Sequence, residues 1–390
     1  MKTPKSIKPL PFPFYFWPVA AIALSGLVDS VYLSVSHYRV HTDMGYHSFC
    51  AVSKAINCDT VSQSRFSIFL NVPVPVWGIF GYLFFMVLLV FVSKTATQEK
   101  SRLWPTLFMV ALCFSLYSIV LALISTFYIR SYCIMCIASY AVNLLLLFYC
   151  WLIHRRFSRL SLMAGLKEDF LFILKNRIKS AVLIGGFLAL FVMLGVFFPA
   201  YWEMSPPIVN RDIPSGITAD GHPWIGGEDP ILTITEFTDY QCFQCTKMHF
   251  YLRELVEDNP EKIRLVHRHF PMDHAYNPLV KEPLHVGSGK MALYSLYAAE
   301  RGKFWLFNDM LFDVDTSKGH FNLRGMAKNA GFDVYDLSRA VKDPGLQRKL
   351  LIDIRDGLRL GVTGTPTYII DGEVYVGNIP PEKIASVSKE

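Results

Sequence analysis

The chain has 390 residues, 52% of them hydrophobic and 18% charged, with a net charge of +6. That length allows two or three domains, and a balance this apolar excludes a purely water-soluble protein. The positive charge does not point to nucleic acid, because the lysines and arginines gather beside apolar spans, where membrane topology accounts for them.

Five stretches, roughly 14–35, 74–92, 104–129, 133–153 and 181–200, are apolar enough to cross a bilayer, which takes about 20 residues. The first follows Lys2, Lys5 and Lys8 as a signal peptide would. It is long, contains Asp29, lacks a small-residue cleavage site and is followed by further spans, so it reads as a retained helix. Lys94, Lys100 and Arg102 follow the second span, and Arg155, Arg156, Arg159, Lys167, Lys175, Arg177 and Lys179 follow the fourth. The opposite loops hold only the scattered Arg39, Lys54, Arg65 and Arg130. This asymmetry predicts a cytoplasmic N-terminus, and an odd number of spans then places residues 201–390 outside. That second half carries the acids, histidines and turn residues of a soluble domain.

The eight cysteines sort by depth. Cys50 and Cys58 fall in the first outer loop, Cys133 and Cys136 at the outer end of the fourth span, and Cys242 and Cys245 in the outer domain. Cys113 and Cys150 lie within spans and read as packing residues. Three outward-facing pairs suggest redox chemistry. Cys133 and Cys136 share one helix face, and the free N–H groups of a first turn favour a thiolate. A straight helix would hold Cys50 and Cys58 roughly 12 Å apart, beyond the disulfide limit of about 6.8 Å between Cα atoms. Their segment must bend if they bond, either as an exchanging loop or as a structural staple. Zinc fits none of the pairs, since none has a second Cys or His pair at ligand spacing. His267, His269, His274 and His285 follow no ligand pattern and read as solvated or core residues. Asp29 is either functional, as a costly membrane acid, or bonded to a Ser or Tyr within the bundle.

In the soluble half, "ILTITEFTDYQCFQCTKMHFYLREL" gives an apolar strand, a short loop and a CxxC opening an amphipathic helix. Downstream, "GVTGTPTYIIDGEVYVG" gives a Thr-Pro step and two strands joined by Asp-Gly, a hairpin signal. Residues 285–360 between them are mostly helical in pattern. Strand, CxxC and helix in that order form the thioredoxin-like redox pattern. The helix start favours Cys242 as the attacking thiol.

Residues 226–388 resemble thioredoxin-fold oxidoreductases of the DsbA type. The resemblance implies a cis proline at Pro366 beside the active disulfide, and a proton-moving role for Glu236, six residues before Cys242. Glu236 also reads simply as a bonded strand carboxylate. Family members place Pro and then His or Tyr between the cysteines; here Phe243 and Gln244 stand there, and Gln244 has no positive charge to offer a thiolate.

Residues 14–153 resemble the vitamin K epoxide reductase family through the Cys50/Cys58 spacing, Ser64, the CxxC of Cys133 and Cys136, and Tyr140. The resemblance implies a four-helix bundle holding a membrane quinone (of ubiquinone or menaquinone type) beside the helical CxxC, with Ser64 and Tyr140 as polar contacts. The quinone-binding Asn that vertebrate members carry near their second helix has no counterpart in "NVPVPVWGIFG". Fusion to a thioredoxin-like domain through a fifth helix is a pattern of bacterial members, which implies a bacterial plasma membrane.

The expected fold is a polytopic α-helical membrane protein with a C-terminal α/β thioredoxin-like domain: 1–156 the four-helix domain, 157–200 a cytoplasmic loop and fifth helix, 201–225 a linker, and 226–390 the thioredoxin-like domain. The expected function is quinone-dependent disulfide generation in exported proteins, taking electrons from those proteins or from a soluble thiol oxidase. The path implied by resemblance runs from Cys242/Cys245 through Cys50/Cys58 and Cys133/Cys136 to quinone. The alternatives are an outward electron donor and a non-catalytic membrane-anchored binding domain. Oligomeric state is left open.

Overall fold

The computed structural model describes residues 11–46, 48–52, 55–93, 103–158, 160–175, 177–203, 213–314 and 321–388. Lys2, Lys5, Lys8, Lys54, Lys94, Lys100, Arg102 and Arg159 lie outside the described residues. The chain divides into two compact units, Met1–Trp202 and Glu203–Glu390.

The first unit is helical. Among the described residues, four helices are long and apolar enough to cross a membrane: α1 (Pro13–Thr42), most of α3 (Val74–Ser93), α4 (Trp104–Ile124) with its π-helical extension to Ile129, and α5 (Ile134–Phe157). The short α2 (Cys58–Gln63) and a two-stranded ribbon, β1 (Ile68–Phe69) with β2 (Val72–Pro73), lie between α1 and α3. An amphipathic α6 (Leu162–Lys175) precedes α7 (Arg177–Phe197), whose apolar part, Ala181–Phe197, is shorter than the other four spans. The bundle core joins Val19, Phe85, Trp104, Leu107, Leu146 and Ile153. Tyr82 packs against Gly26, where a side chain would collide with the ring. Asp169 of α6 accepts hydrogen bonds from the backbone N–H groups of Leu103 (2.8 Å) and Thr106 (3.2 Å). It thereby satisfies donors that a helix start leaves free.

The second unit is built on a six-stranded sheet in the order β3 (Ser215–Ile217), β4 (Pro223–Gly226), β6 (Ile263–His269), β5 (Leu232–Thr238), β7 (Thr367–Ile370) and β8 (Glu373–Val376). Among the described strands of this sheet only β5 and β6 run parallel, joined by the crossover helix α8 (Phe243–Asp258). Helices α9 (Ser288–Ala299), α10 (Phe304–Phe312), α11 (Leu323–Ala330), α12 (Val334–Arg339) and α13 (Pro344–Arg359) follow β6, and α14 (Pro381–Ser388) comes after β8. The core lies between sheet and helices, around Phe237, Phe270, Phe307, Leu311 and Leu350. The β7–β8 turn is Asp371-Gly372, both at positive φ (53° and 80°), the geometry that Asp-Gly favours. One boundary moves: β3 and β4 belong to the sheet, so structured domain begins within the stretch expected to be linker. Residues 204–212 of that stretch lie outside the described residues.

Candidate functional site

In the membrane unit, Cys50 and Cys58 form a disulfide with Cα atoms 5.6 Å apart. Helix α2 begins only at Cys58, so the two cysteines do not share one straight helix. Asn57 caps α2, its side-chain oxygen accepting from Asp59 N (3.0 Å) and Thr60 N (3.1 Å). The same segment is tied to the approach to α5: Asn57 N donates to Tyr132 O (3.0 Å), and Tyr132 N donates to Ala55 O (2.8 Å). Cys50, Cys58 and Cys133 are consequently buried in one cluster, with Cys136 packed against it. Cys133 is the N-cap of α5, and its sulfur accepts the backbone N–H of Cys136 at 3.2 Å. A sulfur that takes up a free first-turn N–H is placed to carry negative charge.

Beyond this cluster lies a cavity of about 640 Å3, walled mainly by apolar residues including Phe66, Trp77, Phe114, Leu121 and Phe191. Cys58, Cys133, Cys136, Ser64 and Tyr140 all line it. Ser64 is partly committed, its hydroxyl donating to Val61 O at 2.8 Å. Several polar groups on the wall escaped the sequence reading, Asn143 and Ser139 among them. Asn143 lines the cavity from α5, accepting from Tyr82 Oη (2.7 Å) and donating to Ser118 Oγ (2.8 Å). The signal was available: Cys136, Tyr140 and Asn143 stand at i, i+4 and i+7, one face of a helix. Ser139 also lines the cavity and donates a hydrogen bond to Asp29, so the acid is bonded within the bundle, although its Oδ1 has no partner. Cys150 is fully buried in the bundle core, as expected of a packing residue. Cys113 departs from that expectation: it is exposed and lies on the cavity wall.

In the soluble unit, Cys242 is the N-cap of α8, and Cys245 lies fully buried one turn on. The Cys242 thiol donates to Thr365 O at 3.4 Å, across the cis Thr365–Pro366 bond, so Pro366 stands beside the pair. Asp239 N donates to Cys245 Sγ at 3.5 Å. A hydrogen bond from Cys245 lowers the Cys242 thiol to about 7, outweighing burial, while burial pushes Cys245 well up. One thiol is therefore ready to attack and the other is held protonated.

Glu236 is fully buried on β5, opposite His267 of β6 and Tyr368 of β7. Its Oε1 lies 2.7 Å from His267 Nδ1, while Oε2 has no partner. Burial raises the Glu236 carboxyl to about 7. His267 Nε2 lies 3.2 Å from His269 Nδ1, and His269 Nε2 lies 3.2 Å from Ser295 Oγ, so both histidines are interior, hydrogen-bonded residues. His274 is exposed beside Asp273. His285 departs from the expectation of a solvated or core residue, standing 3.1 Å from Asp239 at the entrance to the CxxC.

A membrane bundle with two packed cysteine pairs, together with a thioredoxin-like sheet presenting a third, is the arrangement that thiol–disulfide exchange requires. Comparison with known proteins gives two matches: residues 17–151 match the Vitamin K epoxide reductase family, and residues 233–388 match the DSBA-like thioredoxin domain. A solved thioredoxin-like oxidoreductase from Silicibacter pomeroyi DSS-3 aligns at 22% identity and a TM-score of 0.36, covering 44% of this chain and 92% of that one. Oxidised BdbD from Bacillus subtilis aligns at 20% identity and a TM-score of 0.36, covering 46% and 98%. The Na(+)/H(+) antiporter NhaA of Herminiimonas arsenicoxydans is 25% identical over 162 residues, 42% of this chain and 24% of the antiporter. The chain spans about a quarter of the length of the first curated relatives it matches.

Proposed function

We propose that this protein generates disulfide bonds in exported proteins and delivers the electrons to a membrane quinone. The observation that carries the reading is the buried cluster joining Cys50, Cys58 and Cys133, with Cys136 opening from it onto an apolar cavity. In this reading the substrate dithiol reduces Cys242–Cys245, losing two electrons and two protons. The Cys242 thiolate then attacks Cys50 and frees Cys58, and Cys245 resolves the mixed disulfide. Cys58 next attacks Cys133 and releases Cys136. Cys50 closes again on Cys58, leaving Cys133 and Cys136 as a dithiol. Each handover passes through a covalent intermediate, because exchange proceeds by thiolate attack on a disulfide sulfur.

A quinone bound beside Cys136 would supply the two-electron, two-proton acceptor for that dithiol. The fit rests on cavity size, within the roughly 300–1,000 Å3 of small-molecule sites, and on a wall surface that is mainly apolar. Tyr140 would hold a quinone oxygen, as would Ser64 on releasing Val61 O, and Asn143, fixed by Tyr82 and Ser118, is a further polar group on the wall. The lysine and arginine asymmetry supports a five-span topology, with α7 as the fifth crossing, the N-terminus in the cytoplasm and the thioredoxin-like domain outside. A bacterial plasma membrane is the setting. An outward-running reductant would need a cytoplasmic thiol, and in that topology no cytoplasmic loop contains a cysteine.

The test is direct. Purified full-length protein given a reduced, unfolded thiol protein and a soluble quinone should form one quinol per disulfide made. Disulfide formation that proceeds unchanged without quinone would overturn the acceptor, and its absence under all conditions would overturn the activity.

A further inference from the structure

Gln244 occupies the dipeptide position from which a positive charge would reach the Cys242 thiolate, and it is turned to Asn378, Nε2 donating to Oδ1 at 3.0 Å. The charge nearest in sequence is the wrong one. Asp239, fully buried as a side chain, accepts Gln241 N at 2.6 Å, Met272 N at 2.5 Å and Ser288 Oγ at 2.9 Å. Its backbone oxygen accepts Cys242 N at 3.1 Å, which fixes that carboxylate close to the thiol. An anion so placed opposes a second anion on Cys242.

The loop between β6 and α9 brings the answering group. His285, at positive φ (43°), sets Nδ1 3.1 Å from Asp239 Oδ2. Two hydrogen bonds hold the loop there: Gln241 Nε2 donates to Val286 O (2.9 Å), and Gly287 N donates to Asp273 Oδ2 (2.8 Å). We propose that His285 is the positioning residue that supplies, from 43 positions downstream, the positive charge missing between the cysteines, and so makes the soluble pair an oxidant. This rests on Cys242 being the attacking thiol of the proposed function.

The charged and titratable groups facing His285 are Asp239 before the CxxC, Cys242 at the start of α8, and Asp273 after β6, which itself has His274 at 3.6 Å. Burial works against the imidazolium, but Asp239 outweighs it and carries His285 up to about 9, so the cation persists at neutral pH. His285 acts in turn to lower Cys242. In the redox step the disulfide takes two electrons and one proton, leaving Cys242 as thiolate and Cys245 as thiol. The substrate dithiol loses two electrons and two protons, and the second proton goes to solvent. Stabilising that thiolate favours the reduced pair and hence its oxidising power.

The experiment uses the full chain in detergent. Alkylation of reduced Cys242 by iodoacetamide is followed against pH by peptide mass spectrometry, and the Cys242–Cys245 pair is equilibrated with glutathione buffers. The unmodified chain should show a midpoint of about 7. His285→Gln should raise it by about one unit or more, since it removes a cation and uncovers Asp239. The glutathione equilibrium should move about tenfold toward the disulfide. His285→Lys keeps the charge without the ring and should restore a midpoint near that of the unmodified chain. A midpoint unmoved by His285→Gln, or raised equally by Lys, overturns the proposal. Neither readout uses quinone, so loss of quinone reduction in the unmodified chain would count against the proposed function and not against this one.

Discussion

The two CxxC motifs both open helices yet bury opposite sulfurs, and only Cys133 takes up a first-turn N–H with its side chain. In both, the first cysteine is the N-cap and the second lies one turn in. In α8 the first, Cys242, is partly exposed and the second, Cys245, is fully buried. In α5 the first, Cys133, is buried against Cys50 and Cys58, and the second, Cys136, is only half-buried; both line the cavity. A helix start supplies the same N–H groups and dipole to either motif. What surrounds the helix decides which sulfur meets a partner. The soluble pair presents only its outer sulfur, so in the proposed function it would take electrons and give them up through one atom. In the proposed function the membrane pair would meet Cys50 and Cys58 through Cys133 and an acceptor in the cavity through Cys136.

That contrast can be broken by bypassing one pair. Cys136→Ala should abolish quinone reduction with any thiol donor, a loss of at least about 1,000-fold. Cys242→Ala should abolish it with an unfolded protein as donor, yet leave substantial turnover with a small dithiol that reaches Cys50 unaided. Equal loss with both donors in both variants would mean that the two pairs do not act in series.

The elements of this contrast were legible to different degrees. Apolar length exposed the four long helices, because a lipid solvent tolerates little variation in their composition. The CxxC pairs and the β7–β8 hairpin carried local signals. The β3–β4 hairpin carried one too, an Asp220-Gly221 step with Gly221 at positive φ (89°), but its strands are only three and four residues long. Such short strands reveal themselves only when they pair. The merging of Cys50, Cys58 and Cys133 was beyond periodicity altogether, since it depends on the backbone bridge between Ile56 and Tyr132. His285 was missed for the same reason: a loop contact to Asp239 over 46 residues leaves no spacing to read.

The buried Glu236 sharpens the comparison, because the proton for Cys245 must move through protein. Folding raises this carboxyl from 4.5 to about 7, so the folded state binds its proton more tightly. The stability it contributes is full below about 4.5 and is lost as pH rises through about 7, a difference of about 3 kcal/mol at most. Glu236→Gln should therefore flatten the decline in urea stability of this domain between pH 5 and pH 8, read by tryptophan fluorescence. If Glu236 also shuttles the Cys245 proton, reoxidation should slow roughly 100-fold and lose its inflection near 7. A flattened stability profile with unchanged reoxidation would leave Glu236 a bonded strand carboxylate.

The smallest effects belong to the two unpaired cysteines, and they test whether the relay contains three pairs and nothing more. Cys150 is fully buried in the bundle core, where a free thiol acts as a small apolar group. Cys150→Ala should cost about 1 kcal/mol of stability and leave turnover unchanged. Cys113 is exposed on the wall of the cavity that Cys136 also lines, so its removal should change stability by less than about 0.5 kcal/mol. Its position makes it the sharper test: a thiol on that wall could bond Cys136 and divert electrons. If exchange is confined to the Cys133 end, Cys113→Ala should leave quinone reduction within about twofold of the unmodified rate, and mapping without reductant should find no Cys113–Cys136 bond. A large fall in rate, or recovery of that bond, would make Cys113 a member of the relay.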